Sequence, residues 1–147
     1  MTDFTTPQTI QAEFDIENWD EVPYHEPEDG PRLTRITIRK NYRGGVQRNG
    51  LEGTGLVEVL TAQGNLGSGY VASELIRATL DGRGGTFVIQ HGGLADNGAQ
   101  STFGTVVPHS GTGELTGLRG EATEATMGIL TLTYYFDTQQ DFADWQR

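Results

Sequence analysis

The chain of 147 residues contains no cysteine, which excludes disulfides, thiolate nucleophiles and cysteine metal ligands. It has no apolar run near the roughly 20 residues a membrane-spanning helix needs. Its first residues, Met1-Thr2-Asp3-Phe4-Thr5-Thr6-Pro7, carry an acid but no base and no apolar stretch, so they do not read as a signal peptide. These absences predict a cytoplasmic protein with no membrane partner. Basic residues are scarce too: 10 Lys and Arg stand against 20 Asp and Glu, for a formal net charge of -10. Nucleic-acid binding depends on cations that neutralise phosphates, so that partner is disfavoured. Arg32, Arg35, Arg39, Lys40, Arg43 and Arg48 do share one stretch. They lack the series of interleaved aromatics that single-strand binders use, and read as solvent-facing charges along a strand.

Glycine, by contrast, is abundant: 21 residues against 5 prolines, arriving in clusters at short intervals as turns do between many short strands. Residues 10–16 alternate apolar and polar with period two, and the acidic, proline-bearing stretch 21–31 reads as a loop. Residues 33–42 place Ile36, Ile38, Lys40 and Tyr42 on one face and Arg35, Thr37, Arg39 and Asn41 on the other. Gly44-Gly45 and Asn49-Gly50 mark the next turn. Further strands are predicted near 56–61, 70–80, 86–91, 101–107, 114–119 and 128–136. The links are too short for parallel crossovers, which take a dozen or more residues. The prediction is therefore a single all-β domain over 1–147 with its core at about 8–137. Its eight strands form an antiparallel up-and-down β-barrel, with a tail over 138–147 in which Phe142 and Trp145 allow one helical turn. Closure removes sheet edges, and a barrel of this size either fills with side chains or holds one small ligand. A domain of this length buries about two thirds of its unfolded surface and needs no metal to fold.

Particular stretches carry a family resemblance: Asn18-Trp19-Asp20-Glu21, Pro31-Arg32-Leu33-Thr34-Arg35, Gly85-Thr86-Phe87-Val88-Ile89-Gln90-His91, and above all Gly111-Thr112-Gly113-Glu114-Leu115 with Gly117-Leu118-Arg119-Gly120. From about Glu13 to Asp137 the chain resembles a bacterial domain-of-unknown-function family with the allene oxide cyclase barrel fold. Plant dirigent proteins and allene oxide cyclases share a looser form of the glycine pattern. The resemblance implies an eight-stranded barrel that often forms homo-oligomers. It belongs to a superfamily whose characterised enzymes steer cyclisation of a small apolar substrate without a cofactor. This branch itself implies no known activity. Gly104 stands where relatives tend to carry tryptophan, which predicts a different or larger cavity at that point.

Five residues are candidates for a ligand-binding site. Glu74 shares a strand face with Tyr70, Ala72, Ile76 and Ala78, and Lys40 interrupts the apolar face of Ile36, Ile38 and Tyr42. If both faces point inward the two charges are natural partners, either as a structural pair or as an anchor for a ligand. Gln90 and His91 end the fifth predicted strand, where an imidazole at a barrel mouth can transfer a proton. Trp19 with Pro23-Tyr24 reads as a plug at one end. His25, His91 and His109 show no metal-ligand spacing, and no metal or cofactor is called for. Gly111-Thr112-Gly113 lacks the helix N-terminus of a phosphate cradle, and no serine has the frame of a nucleophile elbow.

Two functional classes remain open. One is a small-molecule-binding barrel, as a cofactor-independent cyclase or isomerase acting on a small apolar ligand, with Lys40, Tyr70, Glu74, Gln90 and His91 in its cavity. The other is a non-enzymatic module with a filled barrel that self-associates. A homo-oligomer, in the first instance a dimer, is expected because the strand Leu130-Thr131-Leu132-Thr133-Tyr134-Tyr135-Phe136 looks apolar on both faces. The state of the lumen separates the two classes.

Overall fold

The computed structural model describes residues 5–44 and 50–137, so the expected C-terminal turn and Arg48 lie outside the described residues. The strands are β1 (Gln8–His25), β2 (Arg32–Arg43), β3 (Leu51–Gln63), β4 (Gly67–Leu80), β5 (Arg83–Asp96), β6 (Ala99–Val106), β7 (Leu118–Thr126) and β8 (Ile129–Phe136). Each pairs antiparallel with the next and β1 also pairs with β8, so the sheet closes in sequence order. Turn chemistry accounts for this order. Asp81-Gly82 between β4 and β5, and Asn97-Gly98 between β5 and β6, are two-residue links in which every φ is positive. That is the type I′ hairpin turn, whose twist matches that of the strands it joins. No helix among the described residues is long and apolar enough to cross a membrane.

Alternation decides which side chains face the inside of the ring. On β2 these are Thr34, Ile36, Ile38, Lys40 and Tyr42, and on β4 they include Ala72, Glu74, Ile76, Ala78 and Leu80, all buried. The outward arginines pair with acids: Arg32 with Glu26, Arg35 with Glu58, and Arg43 with Glu13 and Asp15.

Three expectations need correction. The stretch read as a loop from Glu21 is still strand as far as His25, because β1 absorbs an irregularity between Ile16 and Asn18 and then keeps pairing with β2, Trp19 opposite Ile38 and Glu21 opposite Ile36. The strand expected at 114–119 lies at Leu118–Thr126 instead. Gly113–Leu115 forms a short 3-10 turn that drops Leu115 into the core, and the link before it runs along β5, with Thr112 N donating to Thr86 O at 2.8 Å. Finally, β8 is not apolar on both sides, since its outer face carries Thr131 and Thr133 while Leu130, Leu132, Tyr134 and Phe136 are buried.

The inside of the ring has two unlike halves. Toward the Asp81-Gly82 end it is filled by Leu51, Ile76, Leu80, Phe87, Ile89, Leu115, Leu118, Leu130 and Leu132, each almost wholly buried. Toward the Asn97-Gly98 end only a thin layer of Ile36, Ile38, Val57, Val59 and Ala72 coats the wall. The filled half stabilises the fold through apolar burial, at roughly 1.5–3 kcal/mol per fully buried large side chain.

Gly104 lies opposite His91 on the inner face. A Cβ there would run into the carbonyl oxygen of Ala122 on β7 and sit 2.8 Å from His91 Cβ. Gly104 therefore marks a close approach of two strands. Gly104→Ala is expected to destabilise the chain by about 2 kcal/mol or more, because one strand must shift. Urea unfolding with an unchanged midpoint would refute the close packing.

Candidate functional site

The boundary between the two halves is a layer of ionisable side chains. Strand parity brings Lys40 and Tyr42 inward from β2, Glu74 from β4 and His91 from β5, while Phe14 comes from β1 and Glu124 from β7. Gly55 on β3 makes room for them. It pairs with Lys40 on one side and Ile76 on the other, and a Cβ on it would overlap Glu74 Oε2 and crowd the Tyr42 ring at 3.1 Å. A side chain at position 55 is thus incompatible with the carboxylate where it lies.

Glu74 is the hub. Its Oε1 accepts hydrogen bonds from Lys40 Nζ at 3.0 Å and from His91 Nε2 at 3.1 Å, and its Oε2 accepts one from the Tyr42 hydroxyl. Lys40 Nζ also donates to Glu124 Oε1, and it stands 4.2 Å above the centre of the Phe14 ring. The side chain of Glu74 is 0% exposed and those of Lys40 and His91 are 3% exposed, so Glu74 and Lys40 form a buried ion pair with a buried imidazole beside it. Burial by itself raises the Glu74 pKa. The His91 hydrogen bond, the Lys40 charge and the Tyr42 hydrogen bond outweigh that and hold it below the ordinary carboxylate value. The Tyr42 phenol is pushed well above its usual range by burial and then by the Glu74 charge. Tyr70 is pushed up to about 12, first by burial and then by the charges of Glu124 and Glu74.

An ionised Glu74 can only accept hydrogen bonds, so His91 Nε2 must carry the proton. That fixes the tautomer and leaves Nδ1 as the basic nitrogen when the ring is neutral. His91 Nδ1 has no hydrogen-bond partner among the described residues. Above this floor, in the thinly coated half, is a cavity of about 740 Å³. Ile36, Ile38, Val57 and Val59 form its walls, Lys40, Tyr70, His91 and Glu124 its floor, and Trp19 and Met127 its mouth.

The structure thus brings Lys40, Tyr70, Glu74 and His91 together. Gln90 does not join them: adjacent residues on a strand face opposite ways, and Gln90 points outward, where it donates to Ser73 Oγ at 3.0 Å. Trp19 is a rim residue rather than a plug, half exposed and tied through Nε1 to Glu21 at 3.2 Å. Gln63 also donates to Glu21, at 2.9 Å. These bonds hold the Glu21 carboxyl below its ordinary pKa.

Glu124 is the site residue the sequence reading missed. Gly120-Glu121-Ala122-Thr123-Glu124-Ala125-Thr126 has no large apolar residue to set its parity, and the one available signal was Ala122, buried two positions earlier. With Glu124 in place, ligand atoms of Glu74, His91 and Glu124 lie within 4.8 Å of one another, a spacing that suits a metal ion. Here the Lys40 ammonium bonds to both carboxylates, so the chain supplies the cation for this cluster from its own sequence.

A model of the family described as Protein of unknown function (DUF3224) matches residues 10–137. The chain is also similar to the crystal structure of a DUF3224-family protein of unknown function from Shewanella oneidensis MR-1. Identity is 31% and the TM-score is 0.76, covering 90% of this chain and 99% of that one. No curated protein matches.

Lys40 is a buried cation shared by Glu74 and Glu124, so Lys40→Met is expected to cost about 3 kcal/mol or more and Glu74→Gln less, since Glu124 still serves Lys40. The double variant should recover part of the loss, with a coupling above about 1 kcal/mol. Additive, near-zero effects in urea unfolding would refute the buried pair. The pH dependence has a defined sign. With a native pKa below the ordinary value of 4.5, the contribution of Glu74 is present above that value and is lost as pH falls through the native one. Glu74→Gln should therefore flatten the acid limb of the stability curve.

Proposed function

The chain belongs to the DUF3224 family, and from that premise we propose that it is a small-molecule-binding barrel of the allene oxide cyclase-like kind. In this reading one small, largely apolar ligand sits in the cavity with its polar end on the ionised floor. A single observation carries the proposal: a cavity of about 740 Å³ with aliphatic walls ends on a fixed layer of hydrogen-bonding groups. Pockets of a few hundred Å³ with apolar walls and a small number of placed polar groups are the usual form of ligand sites. The filled half of the ring keeps this floor rigid, and the open half leaves room above it.

The chemistry such a floor supports is proton transfer without a cofactor, as in a cyclase or isomerase. His91 Nδ1 is the free basic nitrogen, and Glu74 orients the ring from Nε2 and stabilises the imidazolium that forms on protonation. Tyr70, which stays protonated over the physiological range, is placed to donate to an oxygen of the substrate. The walls exclude water and hold one conformer of the ligand against these groups.

A second reading, self-association as a dimer, is favoured by the outer face of β3, β4 and β6. Leu56 opposes Leu75 and Leu60 opposes Val71 across the sheet, Phe103 lies over Gly92, and all five side chains are exposed. An apolar patch of this kind is what an interface covers.

Two measurements test these readings. The neutral fluorophore N-phenyl-1-naphthylamine should brighten on binding, and Ile38→Trp, which fills the cavity from the wall, should weaken it at least about tenfold, or about 1.4 kcal/mol. Equal binding by both proteins would place the dye elsewhere and defeat the cavity reading. Size-exclusion chromatography with light scattering should give a dimer mass that Leu60→Lys with Val71→Lys shifts to the monomer. A monomeric wild type at micromolar concentration ends the dimer reading.

A further inference from the structure

Resting on the reading of the cavity as a ligand site, we infer that its ligand carries an ammonium group, as a primary or secondary amine on an apolar body, and that a carboxylate head is rejected. The argument is an account of which floor atoms are already occupied. Lys40 directs its ammonium at Glu74, at Glu124 and at the face of Phe14, so the floor's one cation is used up inside the protein. Tyr42 donates its hydroxyl hydrogen bond to Glu74, and His91 Nε2 donates to it as well. What remains for a ligand is acceptors. His91 lines the cavity, and its Nδ1 is a buried acceptor with no partner among the described residues. Glu124 lines the cavity, and among the described residues its one hydrogen bond is through Oε1. The Tyr70 hydroxyl can accept as well as donate.

Charge points the same way. Two carboxylates, Glu74 and Glu124, meet one ammonium, so with His91 neutral the floor carries one net negative charge. Its effect is felt at Tyr70, whose ionisation Glu124 and Glu74 both oppose. The remaining charged wall residue, Asp15, is also an acid, paired outward with Arg43 at 3.0 Å. The rings of Tyr70 below and Trp19 at the mouth offer π-faces, which attract an ammonium already stripped of water. On the floor an incoming carboxylate would meet like charge, and among the described floor residues the Tyr70 hydroxyl is the donor left for it. The chain's net charge of -10 adds a long-range attraction for cations.

The test is isothermal titration calorimetry of the intact chain near neutral pH with three probes of one shape: 1-naphthylmethylamine, 1-naphthalenemethanol and 1-naphthoate. The ammonium is expected to bind at least about tenfold more tightly than the carboxylate, with the alcohol between them. Naphthoate binding as tightly as the amine, or more so, overturns the inference while leaving the cavity reading intact. Failure of all three, the neutral alcohol included, overturns the cavity reading and the inference with it. Glu124→Gln should remove the amine's advantage over the alcohol, and an advantage that survives that change places the charge recognition elsewhere and also overturns the inference. Because Glu124→Gln loosens Lys40 as well, the wild-type order of the three probes decides the matter without any variant.

Discussion

The ammonium of Lys40, held between Glu74 and Glu124 in the middle of the ring, is the constraint on which the other features turn. Two carboxylates from different strands cannot share a low-dielectric interior without a cation, and an isolated lysine could not stay charged there. Bringing the three together fixes the relative register of β2, β4 and β7, elements far apart in sequence. It also explains the glycine at position 55, whose missing side chain leaves the space that Glu74 fills. A buried ion cluster contributes little net stability compared with an apolar core of the same volume. The aliphatic half of the ring supplies that stability, and the cluster supplies definition: it marks the level at which packing stops and open space begins.

How far the residues alone foretold this arrangement depends on how strongly each strand signals its parity. β2 and β4 alternate cleanly enough that Lys40 and Glu74 stand out as charges on apolar faces, and their predicted pairing is present at 3.0 Å. The eight antiparallel strands followed from the turn residues, and closure from the fact that eight strands in up-and-down order can meet end to end. Three features were not legible. β7 is built of small and polar residues, so neither its start nor the inward turn of Glu124 leaves a pattern. The β1 extension through Trp19, Glu21 and Pro23 resembles a loop in composition and is strand only because β2 is long enough to pair with it. Gln90 was drawn toward the site by being next to His91, although strand geometry puts neighbours on opposite faces.

The same division into halves separates two kinds of substitution. Changes among Leu51, Leu80, Phe87 or Leu132 act on the packed core and on whether the chain folds. Changes at Ile38, Val59 or Trp19 act on a surface already open to space and alter what fits there. Lys40 and His91, which hold Glu74 from one side and line the cavity on the other, border both halves.

The pairing of β1 with β8 has a consequence for how the chain reaches this state. Thr9 and Thr133, whose hydroxyls meet at 2.9 Å, are separated by 124 positions, so the last seam can form only when the ends of a long chain find each other. The neighbouring hairpins need no such search, since the Asp81-Gly82 and Asn97-Gly98 turns bring their strands together locally. Contacts of large sequence separation form slowly because the chain entropy is lost before the contact is gained. Until that seam forms, β1 and β8 both present open hydrogen-bonding edges of matched register, and a second unfinished ring can supply the missing strand. The route to a closed monomeric ring and the route to strand exchange between chains therefore diverge at one step, the meeting of residues 8–13 with 129–134.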